Sequence, residues 1–262
     1  MPLDTRGDIA AAQLAFYVPI LAISFFYTAR YAFEKDAGFF FLFLFALVRL
    51  AGGALIIAAE LVQPAVIDLF ISAYILFPAG LALLDLAFLG FLGLAGQHSY
   101  SEYARTMRIL RVVGLIPIVA LALSIAGGII GTHVNPDAHT GLLLRRIAAG
   151  FYAGAWVALV IATFMCWSHR YSMRSYRRNL LTGVTYALLP LGVRTAYAIL
   201  HAWSSSDIFG NDPSTNPTLA MFNPITGKFV TYLVMGLIME YLCCLMLLFF
   251  AIAMLRRRRF SY

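Results

Sequence analysis

The feature that most constrains this chain is a succession of seven apolar stretches, each long enough to cross a bilayer. About 20 consecutive apolar residues span the ~30 Å hydrocarbon layer as a helix. Such stretches occur at about residues 9–29, 38–60, 66–95, 109–131, 146–167, 180–203 and 229–255. In lipid every backbone N–H and C=O must be satisfied inside its own segment, so each stretch is predicted to be a helix. The third carries Pro78 and Gly80 and is expected to tilt or kink. With 62% of residues hydrophobic and 12% charged, no polar mass remains for a second domain. Residues 1–262 are therefore expected to form one all-α, seven-transmembrane-helix domain, multi-pass in the plasma membrane or an endomembrane.

Charge placement gives the expected orientation. The net charge is +7, and 17 of the 19 basic residues are arginines concentrated in short connections and the tail. That distribution suits phospholipid headgroups, and no nucleic-acid partner is expected. Thirteen basic residues fall on one side of the membrane: Arg30, Lys35, Arg105, Arg108, Arg111, Arg170, Arg174, Arg177, Arg178 and Arg256 to Arg259. Four fall on the other: Arg6, Arg145, Arg146 and Lys228. Basic residues accumulate on the cytosolic side, so the amino terminus is predicted outside and the carboxyl tail, 256–262, inside. Arg174, Arg177, Arg178, Arg256, Arg257, Arg258 and Arg259 are read as a cytosolic basic anchor. The start of the chain lacks a basic region followed by a short apolar core and cleavage site, so the first helix is expected to be retained as a signal anchor.

Charges inside the apolar stretches are the informative set. A charge near the bilayer centre costs about 2.5–3.5 kcal/mol on insertion scales, so such groups turn inward and find partners. Arg49 and Asp85 are predicted to pair between the second and third helices, and Arg194 and Glu240 between the sixth and seventh. At 3.6 residues per turn Pro190, Arg194, Tyr197 and His201 share one stripe, and Tyr232, Gly236 and Glu240 another. These stripes are expected to line a polar cleft open toward the outside, where Glu60, Asp68 and His201 lie. Whether the charges hold a ligand or only fix helix register stays open.

Other residues bound the chemistry. Gly90, Gly93 and Gly96, and Gly127 with Gly131, suit close helix packing within the bundle, with a homodimer as the alternative use. Residues 204–227, rich in Ser, Asn, Asp, Pro and Gly, form a long external loop that could cover the cleft. No lysine stands deep in the seventh helix for a retinal Schiff base, and no histidines lie at matched depth for haem. No two histidines have the i, i+4 spacing of a zinc site, and no Gly-x-Ser-x-Gly elbow occurs. The chain is expected to be no enzyme and to hold neither metal nor cofactor.

The segments Leu47-Val48-Arg49-Leu50-Ala51-Gly52-Gly53, Pro190-Leu191-Gly192-Val193-Arg194-Thr195-Ala196-Tyr197, Phe222-Asn223-Pro224-Ile225-Thr226-Gly227 and Tyr232-Leu233-Val234-Met235 with Glu240 resemble a family of fungal seven-helix integral membrane proteins of unknown function. That resemblance implies a fungal membrane protein and supplies no activity. Its members look broadly like the fungal lipid-translocating-exporter and receptor-like seven-helix proteins, at the level of fold alone. Two functions fit the residues. One is a transporter or lipid- or small-molecule-handling protein whose Arg/acid pairs open around an amphipathic ligand. The other is a receptor-like sensor that signals through its basic cytosolic loops.

Overall fold

The described part of every apolar stretch is helical, and several helices run past the ends of those stretches. The computed structural model describes residues 5–31, 37–61, 67–96, 104–131, 137–205, 214–223 and 227–259. Six long helices come first: α1 (Thr5–Tyr31), α2 (Ala37–Leu61), α3 (Ile67–Gly96), α4 (Ala104–Gly131), α5 (Asp137–Ser168) and α6 (Ser175–Trp203). A four-residue helix, α7 (Pro217–Ala220), interrupts the long connection that follows. Then α8 (Phe229–Thr231), a π-helical segment (Tyr232–Ile238) and α9 (Met239–Arg259) continue as the seventh span. Among the described residues seven helices are thus long and apolar enough to cross a membrane, and the fold is that of an all-helical, multi-pass membrane protein.

One boundary differs in a way that matters. The apolar pattern begins the fifth span near residue 146, whereas α5 begins at Asp137 and carries Arg145 and Arg146 on the helix. A helix of 32 residues is about 48 Å long, well beyond the ~30 Å hydrocarbon layer. Its first turns can therefore be helical and carry charge at once.

Successive helices are antiparallel neighbours. Gly38 at the start of α2 meets Gly90 and Phe91 near the end of α3, and Gly141 at the start of α5 meets Gly127 and Gly131 near the end of α4. The starts of α1, α3, α5 and α8 and the ends of α2, α4 and α6 therefore share one end of the bundle, called here the amino-terminal end. α3 is the most buried span and packs against α2, α4, α5, α6 and α9. α1 touches both α2 and α9. Phe39, Phe88, Phe91, Leu92, Leu180 and Leu247 are fully buried and fill the half away from the amino-terminal end.

The small residues divide into two groups. A Cβ on Gly90 would stand 2.5 Å from the Gly38 Cα, and one on Gly141 would stand 2.7 Å from the Gly131 Cα, so these backbones touch. Gly93, by contrast, faces open space, as do Gly150 and Gly154 on α5. Gly38→Leu is expected to overpack the α2–α3 contact and cost about 1–3 kcal/mol. Gly93→Ala is expected to leave stability unchanged or slightly raised. Thermal unfolding of the purified protein in detergent checks both, and equal melting of the two variants would contradict the packing described.

Candidate functional site

The polar centre is built around one carboxylate. Glu240, 1% exposed, stands at the start of α9, directly after the π-helical segment. Arg49 of α2 grips it with two donors: Nε bonds Oε1, and Nη2 bonds Oε2 at 2.5 Å. Arg194 of α6 donates its Nε to Oε2 at 2.8 Å. The Tyr17 hydroxyl of α1 donates to Oε1 at 3.3 Å. One acid thus ties the seventh span to three other helices. Bidentate guanidinium–carboxylate geometry is the strongest form such a bond takes.

The surroundings explain why the charges sit where they do. Gly80 of α3 leaves the room that the Arg49 guanidinium fills, since a Cβ there would stand 2.8 Å from Cζ. Gln13 Nε2 donates to the Arg49 carbonyl at 3.0 Å and fixes α1 against α2. The Phe77 ring lies against both cations, its centroid 4.9 Å from the Arg49 Cζ and 4.7 Å from the Arg194 Cζ. An aromatic ring attracts both cations. On α6 the indole N–H of Trp156 donates to the Leu188 carbonyl, and that of Trp167 to Thr185, which clips α5 to α6 on the stretch before Arg194.

The expected pairing of Arg49 with Asp85 is corrected here: Arg49 binds Glu240, and Asp85 has no hydrogen-bond partner among the described residues. Depth is the reason. Counted from the shared end, Arg49 stands twelve residues from Leu61 and Glu240 eleven from Phe229, whereas Asp85 stands eighteen from Ile67. Six residues of helix are about 9 Å, too far for a bond. Asp85 is 1% exposed, and Arg194 is the cation that acts on it electrostatically. The expected pairing of Arg194 with Glu240 is present.

Tyr197 and His201 are buried on the Arg194 stripe of α6. Tyr197 lies 6.3 Å from Tyr232 and 6.4 Å from Phe222, centroid to centroid, so the described part of the long connection folds back onto the site. Asn223 is buried there, and the Ser214 N–H donates to the Ser204 carbonyl. Glu60 stands near the end of α2, and its side chain lies outside the described residues, as do those of Asp68, Arg258 and Arg259. Of the basic set expected to face the cytosol, Arg174, Arg178, Arg256 and Arg257 are exposed, whereas Arg177 is 6% exposed beside Tyr176.

Two small cavities flank Phe77. The first, about 40 Å³, is lined by Phe77, Ser124, Arg145, Tyr152, Arg194 and His201 among others. The second, about 20 Å³, is lined by Arg49, Gln13 and Tyr232 on the other side of the ring. At the rim of the first, Arg145 Nη2 donates to His201 Nδ1 at 2.6 Å. A guanidinium only donates, so this ring nitrogen accepts. The Tyr152 hydroxyl donates to the Pro78 carbonyl at 3.0 Å and joins α5 to the proline turn of α3. Among the described residues no three His, Cys, Asp or Glu converge as a metal site would need.

Sequence reasoning missed Tyr17, Gln13, Phe77 and Arg145. Gln13 and Tyr17 carried a signal, being polar groups four residues apart in an apolar span. Phe77 carried none in a chain with 21 phenylalanines.

Fold and site together define a multi-pass, seven-helix membrane protein with a charged cluster buried in its bundle. The chain belongs to the family described as Domain of unknown function (DUF7702), whose model matches residues 3–258. No curated protein and no solved structure matches it.

Removing one partner of a buried ion pair costs about 3–5 kcal/mol, because a charge is left uncompensated. Glu240→Leu strands two cations, while Arg49→Leu leaves Glu240 bonded to Arg194. Glu240→Leu is therefore expected to destabilise by that full amount and Arg49→Leu by less, about 1–3 kcal/mol. Melting temperatures of the two variants in one detergent test the order, and a reversed order would refute a carboxylate-centred cluster.

Proposed function

We propose that the protein is a transporter of small solutes whose buried Arg49–Glu240–Arg194 cluster is the gate. The observation that carries this reading is a succession of charged and polar side chains leading into the bundle and bordering two small cavities. It runs from Arg145 and His201 through the 40 Å³ cavity to Arg194, then through Glu240 to Arg49 and the second cavity. Intramembrane ionisable groups ordinarily mark solute or ion pathways. The π-helical segment beside Glu240 supports a moving part, since such segments occur at functional hinges. Cavities of 40 and 20 Å³ favour a small solute over a lipid, whose acyl chains need far more room. With the amino terminus outside, as the arginine bias implies, the larger cavity faces outward. The reading assigns no catalytic step.

One observation favours a second reading, a receptor-like sensor. The half of the bundle away from the cavities is packed with Phe39, Phe88, Phe91 and Leu247. A ligand bound at the amino-terminal end would then shift α6 and α9 without passing through, and Arg174 and Arg178 would meet a partner.

Flux separates the two. In vesicles, wild-type protein is expected to move at least one of chloride, acetate, alanine and glucose faster than protein-free vesicles do. Phe77→Ala, which removes a ring that borders both cavities, is expected to raise that rate. Permeability equal to that of empty vesicles for both proteins would retire the transport reading in favour of the sensor.

A further inference from the structure

Asp85 is the buried ionisable group that the gate leaves unused. It is 1% exposed, and neither carboxylate oxygen has a hydrogen-bond partner among the described residues. The groups that face it are committed elsewhere. The Tyr152 hydroxyl of α5 donates to the Pro78 carbonyl at 3.0 Å, and the Cys243 thiol of α9 donates to the Ala187 carbonyl at 3.6 Å. Arg194 of α6 places its Nε on Glu240, and Arg49 of α2 is spent on the same acid. From α4 the polar neighbour at the cavity is Ser124, which carries no charge.

A buried carboxylate without donors is costly, and a proton removes that cost by neutralising it. Water can deliver one. Pro78, Leu81 and Asp85 follow at spacings of three and four residues and so share a face of α3, and the first two line the 40 Å³ cavity. Asp85 stands one turn, about 6 Å, deeper than Leu81. The cavity has room for about three waters at roughly 10–15 Å³ each. Arg194 borders the same cavity, and its Nη1 and Nη2 also have no hydrogen-bond partner among the described residues. Two donors without acceptors thus stand near two acceptors without donors.

We propose that Asp85 is a proton-binding site that sets the partner of Arg194. With the proton on Asp85, Arg194 stays on Glu240; when the proton leaves, the terminal nitrogens of Arg194 turn to the bare carboxylate. The Asp85 O–H bond breaks, its electron pair stays on the carboxylate, and cavity water carries the proton away. Glu240 keeps both bonds from Arg49 throughout. The inference deepens the transport reading by supplying a coupling ion, and it is tested on the proton itself so that the two can fail separately.

The probe is the proton, read by infrared absorption of the purified full chain. Wild type at neutral pH is expected to show the C=O stretch of a protonated carboxylic acid, and alkaline titration is expected to remove it. Asp85→Asn, which keeps the shape, and Asp85→Leu are both expected to lack the band while keeping the wild-type gel-filtration profile. Arg194→Gln takes away the donors that the bare carboxylate needs, so the titration is expected to move to alkaline pH by at least about tenfold in proton concentration. No band in wild type would mean that Asp85 stays charged, and a band persisting in both Asp85 variants would place the proton elsewhere; either overturns the proposal. A titration unmoved in Arg194→Gln would overturn the exchange of partners. A titrating band without flux of any solute would leave the site standing and retire transport; flux without the band would do the reverse.

Discussion

A carboxylate inside a lipid-embedded bundle is tolerable only when its charge is answered on the spot, and the arrangement of α1, α2, α6 and α9 follows from that requirement at Glu240. Four donors, from Tyr17, Arg49 and Arg194, converge on its two oxygens. They come from three neighbours, two of them from Arg49, so the cluster fixes the depth and rotation of α1, α2 and α6 against the seventh span at once. Apolar side chains cannot do this between helices in lipid, where the tails are as greasy as leucine. Van der Waals packing fills the bundle, and the charges set its register.

That register needs space as much as attraction. Gly80 gives Arg49 its place on α3, and the Gly38–Gly90 contact brings α2 close enough to α3 for the guanidinium to reach across to α9. On the other flank, Trp156 packs into the space at Gly192 and bonds the Leu188 carbonyl, which settles α6 on α5 below Arg194. Phe77 then closes the centre by stacking against both cations. Small residues, an aromatic plate and two arginines act as one device. Because Phe77 also borders both cavities, the same ring that steadies the charges separates the two polar spaces.

The number and length of the spans were legible in the sequence because the bilayer imposes them: a helix must stay apolar for ~30 Å, and its residues say so. Arg49, Arg194 and Glu240 were legible as a group for the same reason, each being a charge in an apolar run. Partner choice was not. It depends on depth counted from helix ends, and Asp85, without a hydrogen-bond partner among the described residues, is about 9 Å deeper than Arg49. The role of Arg145 was hidden because the hydropathy pattern puts it in a connection, while α5 continues as helix through it from Asp137. Tyr17 and Phe77 act through positions that only tertiary packing defines.

The commitment of donors distinguishes one part of the site from another. Two cations, Arg49 and Arg194, stand with two acids, Glu240 and Asp85, and Asp85 makes no hydrogen bond among the described residues. Arg194 is shared between two acids at different depths, bonded to Glu240 and acting on Asp85 only through its field. A guanidinium stretched between two acids keeps its terminal nitrogens from bonding fully to either. Arg145 stands on the early turns of α5, where it bonds His201 and borders the cavity next to Arg194. An incoming polar group would therefore meet committed donors at Glu240 and, among the described residues, uncommitted ones at Arg194, which borders the cavity.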